Sequence, residues 1–184
     1  MPDESQTLPI RLDLQPVYQP NNYTCVPACL KMILDYIRPT LDMEENIPIF
    51  EVEQIADIVE TKEDGTSFED VRNLNKEILK ANPSVEFATR RQSNIKEIIE
   101  EINHRRPIIV GIAIEESGVY NHSVVITGID MGNQLIYYND PIYGEREEGL
   151  GSFMSKWERF DNYIIKLKLG ERQQRKLEEW MNNR

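Results

Sequence analysis

Apolar residues recur at helical spacing through Val26, Cys29, Leu30, Ile33, Leu34 and Ile37, which predicts a buried helix running to Ile37 with Thr24 as its N-cap. Pro27 fits the first turn, where the N–H that proline lacks has no internal partner anyway. An irregular, proline-bearing stretch from Arg38 to Ile49 follows, then a helix over 52–59 with Val52, Ile55, Ala56 and Val59 on one face. Ser67, with Glu69 and Asp70 behind it, reads as the cap of a helix ending near Ala81. A strand is expected over 85–89, a helix over 95–103 capped by Ser93, and a strongly apolar central strand over 107–114. The β-branched run His122 to Asp130, preceded by Gly118 and Asn121, is a strand. The turn Met131-Gly132-Asn133 joins it to a second strand over 134–139 that ends at Asp140. Phe153 and Trp157 lie four apart on a short helix as core residues, and 162–169 is a last strand. These elements predict an α+β fold in which an N-terminal helix packs on a mainly antiparallel sheet.

Length bounds the organisation: 184 residues can bury roughly 70% of the unfolded surface in one core without a disulfide or metal staple. With no internal repeat or low-complexity linker, 1–169 is read as a single domain closed by Gly170, and 170–184 as a charged, helical C-terminal tail. Leu177, Trp180 and Met181 share one side of that tail, which suits docking on the domain, a partner or a second copy. The first six residues carry no apolar segment, so neither a signal peptide nor a membrane span is expected. Two cysteines, one of which must stay reduced to work, suit a cytoplasmic location. The net charge of −11 would repel phosphate over most of the surface and argues against a nucleic acid partner. Acidic runs at 44–45, 51–63 and 145–148 read as solvated faces, with Glu145, Glu147 and Glu148 given some weight as a rim because they follow Asp140.

Chemistry concentrates on few residues. Cys25 falls in the opening turn of the first helix, where free N–H groups and the helix dipole favour a thiolate. A thiol attacks a carbonyl only as thiolate, so it needs a base, a group to orient that base, and donors for the oxyanion. His122 stands at the mouth of its strand, where it can face a cleft, and Asp140 at the end of the hairpin can return toward it. Each also has an ordinary reading: Cys25 as a small buried hydrophobe, and Asp140-Pro141 as a turn starter. Cys29, one turn after Cys25 on the apolar stripe, reads as packing, and His104 beside Arg105 and Arg106 as a surface residue at a helix C-terminus. Tyr18, Tyr120 and Tyr143 neighbour these positions and are cleft-edge candidates, although half-buried tyrosines are commoner. Two cysteines three residues between and two scattered histidines match no zinc-ligand spacing, and no cofactor or metal is expected.

The stretch from Gln19 to Leu34, with Cys25 inside it, resembles the catalytic segment of C39-like cysteine peptidases, papain-fold enzymes related to the double-glycine leader peptidases. Asp64-Gly65-Thr66-Ser67, Asn121-His122-Ser123-Val124-Val125-Ile126-Thr127-Gly128 and Tyr138-Asn139-Asp140-Pro141 follow in the family's order, and together the likeness covers about residues 15–167. Thr24 and Val26 stand where many relatives have Asp and Gly, and nothing here has the length or hydropathy of the transporter to which leader-processing members are fused. The resemblance implies a papain-like fold, a peptide or protein substrate, and a mechanism. Cys25 would be the nucleophile, His122 the base and acid, Asp140 the group that fixes the imidazole, and Gln19, otherwise a polar loop residue, an oxyanion donor with the Cys25 N–H. Hydrolysis of a peptide or amide bond through an acyl-enzyme is the expected function. An acyl transferase using the same triad, or a non-catalytic peptide-binding module, are the alternatives; the joint presence of Cys25, His122 and Asp140 speaks against the last.

Overall fold

Thirteen residues, Cys25–Ile37, form α1, and ten of them are buried. The predicted stripe is thus only part of the covered surface. Pro27, Ala28, Met32 and Tyr36 are enclosed as well, because α1 is packed from several sides rather than lying on the surface of a core. A computed structural model of the chain describes residues 9–114 and 121–184. Gly118 and Tyr120, considered above, lie outside the described residues.

Beyond α1 the chain makes single 3-10 turns at Arg38–Thr40 and Met43–Glu45, then α2 (Val52–Ile58) and α3 (Val71–Ala81). β1 (Val85–Arg90), α4 (Ile95–Asn103), β2 (Ile108–Ile112), β3 (His122–Asp130), β4 (Leu135–Asp140) and β5 (Gly144–Gly149) follow, with α5 (Leu150–Glu158), β6 (Ile164–Leu169) and α6 (Glu171–Asn182) closing the order. The six strands form one sheet in the order β1-β6-β2-β3-β4-β5, and every neighbouring pair is antiparallel. β2 and β3 are buried along their whole length, as expected of the β-branched runs that form them.

Two local expectations are corrected. The cap of α4 is Asn94, whose side-chain oxygen accepts from the N–H groups of Lys96 and Glu97, while the Ser93 hydroxyl is buried without a hydrogen-bond partner among the described residues. Ser67 precedes a 3-10 turn, Phe68–Asp70, and its side chain does not cap it; α3 proper starts at Val71. Residues 145–148, read from their charge as a solvated face, lie in the edge strand β5, where Glu145, Arg146 and Glu147 are exposed and Glu148 is half-buried. Glu148 is tied there to Lys156 and Ser152 of α5 and accepts from the Tyr138 hydroxyl at 3.1 Å. An edge strand alternating charge with charge satisfies its backbone on one side while discouraging pairing on the other.

α6 lies against the rest of the chain. Leu177 is fully buried, the Gln173 amide donates to Thr40, and Trp180 meets Tyr36 of α1 edge to face at 6.2 Å. No helix among the described residues is long and apolar enough to cross a membrane.

Candidate active site

Thr24 occupies the N-cap position of α1, but its hydroxyl bonds the Asn21 side chain at 3.1 Å instead of capping the helix. The first turn therefore keeps the N–H groups of Cys25 and Val26 for whatever lies in front of it, and Pro27 has none to offer. Cys25 is partly exposed at this end, whereas Cys29, one turn inside, is fully buried with its thiol on the Ser123 carbonyl at 3.3 Å. Both thiols are free.

His122 and Asp140 come from neighbouring strands. Val125 pairs with Asn139, so Asp140 is level with Val124 and shares the sheet face of His122, one diagonal step away. Nε2 of His122 is 2.9 Å from Oδ1 of Asp140, with both side chains buried. Oδ1 also accepts from the N–H groups of Ile142 at 2.7 Å and Tyr143 at 3.3 Å. Asp140 is accordingly a turn starter and a partner of the imidazole at once. The imidazole is also close enough to Cys25 for each group to shift the other's titration. Since Nε2 is taken by the carboxylate, Nδ1 is the nitrogen left for sulfur.

The electrostatics follow from this order. Burial alone would raise the Cys25 pKa, but the bond and charge of His122, with the N–H and hydroxyl of Ser123, outweigh it and hold the thiol below its ordinary value. Burial would lower the His122 pKa; the bonds to Asp140 and Cys25 instead carry it up to about 9. Asp140 is pushed upward by burial and downward by His122 and its two backbone donors, and ends below the usual carboxylate range. Cys29 shows the contrast, since burial and the nearby Cys25 and Asp140 charges raise its thiol well above normal. The two cysteines share a helix yet differ in kind: one is a thiolate candidate, the other a packing group.

Gln19 is drawn to the same end of the molecule, its N–H donating to the Pro141 carbonyl at 2.8 Å beside Asp140. Its side-chain amide donates to Asn21 at 2.6 Å, and its Oε1 is buried without a partner among the described residues. The second amide proton of that group is left for another acceptor. Ser123 is the contributor that sequence reading passed over. Its only signal was its place after His122, and strand alternation gave no reason to aim it at Cys25. Tyr18 and Tyr143 are well exposed, at 61% and 57%, and His104 lies on the surface against Glu178.

A cavity of about 360 Å³ lies against the same sheet, lined by Thr66, Ser67, Phe68, Arg91, Phe160 and Tyr163 among others. Phe160 lies over Gly111, where a Cβ would collide with its ring, and Gly111 pairs across the sheet with Ser123.

The description of the Peptidase_C39 like family matches residues 11–165. The chain belongs to this family. Its fold is papain-like, similar to the peptidase domain of Streptococcus ComA, a bi-functional ABC transporter involved in a quorum sensing pathway, with a TM-score of 0.63 and 16% identity over 85% of this chain and 99% of that one. A candidate C39-like peptidase from Bacillus anthracis gives 0.64 at 13% identity, covering 87% and 97%. A double glycine motif protease from an AMS/PCAT transporter, solved with its leader peptide, gives 0.55 at 18%, covering 88% and 98%. No curated protein matches the chain. At these identities the structural likeness is one of fold, and the C39-like assignment rests on the match over 11–165.

Proposed function

We propose that this C39-like chain hydrolyses a peptide or amide bond through an acyl-enzyme on Cys25. The observation that carries the reading is the position of His122, whose Nε2 is 2.9 Å from Asp140 and which is close enough to Cys25 for each to shift the other's titration. The Cys25 thiolate attacks the scissile carbonyl, forming the C–S bond and placing the carbonyl electrons on oxygen. The His122 imidazolium gives its proton to the leaving amine as the C–N bond breaks, then takes one from the water that hydrolyses the thioester. Asp140 holds the ring in the tautomer this exchange needs. The oxyanion is met by the Cys25 N–H and by Gln19, whose free amide proton is the donor. Such a site suits peptide segments, and the bound leader peptide of the double glycine motif protease offers a parallel in a related fold.

The test is incubation of the chain with a diverse peptide mixture, with products read by mass spectrometry and the acyl-enzyme trapped by acid quench. New fragments and a Cys25 adduct, both absent from Cys25→Ala, are expected. Fragments bearing an added amine when amines are supplied, and none ending in a free carboxylate, would instead identify a transferase. Binding of peptides without cleavage by the wild-type chain would overturn the catalytic reading.

A further inference from the structure

The β3–β4 hairpin contains an extra residue. From Asp130↔Leu135 to Gly128↔Tyr137 the pairing is regular, and from Ile126↔Tyr138 to Val125↔Asn139 it is regular again, but Thr127 between them has no partner on β4. It is a β-bulge. Had the turn-side register continued, Asp140 would lie level with Val125 rather than Val124, and its side chain would emerge on the sheet face opposite His122. The one unpaired residue therefore decides whether the carboxylate and the imidazole can meet.

Something holds the bulge where it is. β2 begins at Ile108, opposite Ile126, and beyond that pair β3 is bridged at Gly128 by Arg11 of the N-terminal segment. The Leu12 N–H donates to the Thr127 carbonyl at 2.7 Å, Arg11 bridges Gly128, and the Asn139 side chain donates to the Leu14 carbonyl at 2.6 Å. Leu12 and Leu14 are both buried. The contact is close because residue 128 has no side chain: a Cβ there would stand 2.8 Å from the Ile10 carbonyl oxygen and 3.2 Å from the Arg11 Cα, both backbone atoms that cannot swing aside.

We propose that Ile10 to Leu14, seated on Gly128, clamp the register of the hairpin, and that Gly128 is a positioning residue for Asp140. The clamp pins the bulge at Thr127; released, the bulge migrates toward the open end of the hairpin and turns Asp140 away from His122. The inference rests on the pairing of His122 with Asp140 in the proposed function, and its test separates the two.

The His122 imidazole is titrated by NMR in the full chain, in a His104→Gln background that leaves one histidine signal. The unmodified site should titrate near 9, and Asp140→Asn should bring the value down by about one unit or more. Gly128→Ala should lower it similarly, and slow Cys25 alkylation at neutral pH roughly ten-fold, while Gly132→Ala in the turn, whose Cβ meets only Asp130 Oδ1 at 3.4 Å, should leave both unchanged. Deleting Thr127 within the Gly128→Ala chain removes the unpaired residue and keeps Asp140 level with Val124. The raised value should then return, whereas a merely structural role for Gly128 makes the double variant the worse of the two. If Gly128→Ala does not fold, Asn139→Leu, which removes the bond to Leu14, is expected to lower the His122 value and carries the same decision. Wild-type titration in Gly128→Ala, or in Asn139→Leu, alongside a lowered value in Asp140→Asn overturns the clamp alone. An unchanged value in Asp140→Asn overturns the pair and the clamp together.

Discussion

At the residue scale, His122 lies 2.9 Å from Asp140, and Cys25 and His122 shift each other's titration. A thiol held low and an imidazole raised to about 9 make an ion pair over the intervening range, so activity should show two limbs. On the acid side it falls as the thiolate is protonated; on the alkaline side it falls through about 9 as His122 loses the proton that the leaving amine requires. Asp140→Asn removes the main support of the imidazolium, and a kcat/KM profile should show the alkaline limb moved toward the unperturbed histidine value of about 6.5. An alkaline limb that stays in place would show that Asp140 does not set the His122 charge. For Gln19→Ala the loss of one oxyanion donor should lower kcat by about 100-fold or more with KM little changed, read from steady-state kinetics. The candidate positions, as distinct from their roles, were legible before any coordinates. Cys25 declared itself by its place at a helix start, and His122 by opening a β-branched run. Ser123 did not, because its contribution depends on how α1 crosses the end of β3, which no local pattern encodes.

At the scale of elements, the strongly periodic segments were readable and the punctuation was not. α1 and β3 were expected with the bounds they have, since both are long and apolar. The cap of α4 was misplaced by one residue: Ser93 and Asn94 are both good caps, and only the backbone bend decides which oxygen reaches the first-turn N–H groups. Asn94→Ala should accordingly cost about 1 kcal/mol in denaturant unfolding, and Ser93→Ala should cost less. β5 escaped notice because its six residues, two glycines around four charges, give no alternation of apolar and polar, and an edge strand needs none. The bulge at Thr127 was invisible for a different reason. A hairpin read from its turn outward assumes continuous pairing, and continuous pairing would have sent Asp140 to the wrong face.

At the scale of the whole molecule, the N- and C-terminal segments are part of what holds the site. Residues 10–14 lie on β3 and β4, and α6 packs on the rest of the chain through the buried Leu177 and through Trp180, which meets Tyr36 of α1. The apolar side of 171–182 thus meets the domain rather than standing free, which the spacing of Leu177, Trp180 and Met181 allowed but could not choose among three uses. Leu177→Ala leaves a cavity at a fully buried position and should cost about 2–5 kcal/mol in thermal or denaturant unfolding. A change under about 0.5 kcal/mol would show that α6 contributes little to folding.

The central claim is that His122 makes Cys25 a thiolate. It is tested most directly by the pH dependence of Cys25 alkylation, followed by intact mass and peptide mapping in the wild type and in His122→Ala. The account predicts fast labelling of Cys25 over Cys29, with a midpoint below the ordinary thiol value of about 8.5 that rises when His122 is removed. Slow labelling with an ordinary midpoint, the same in both proteins, would contradict it.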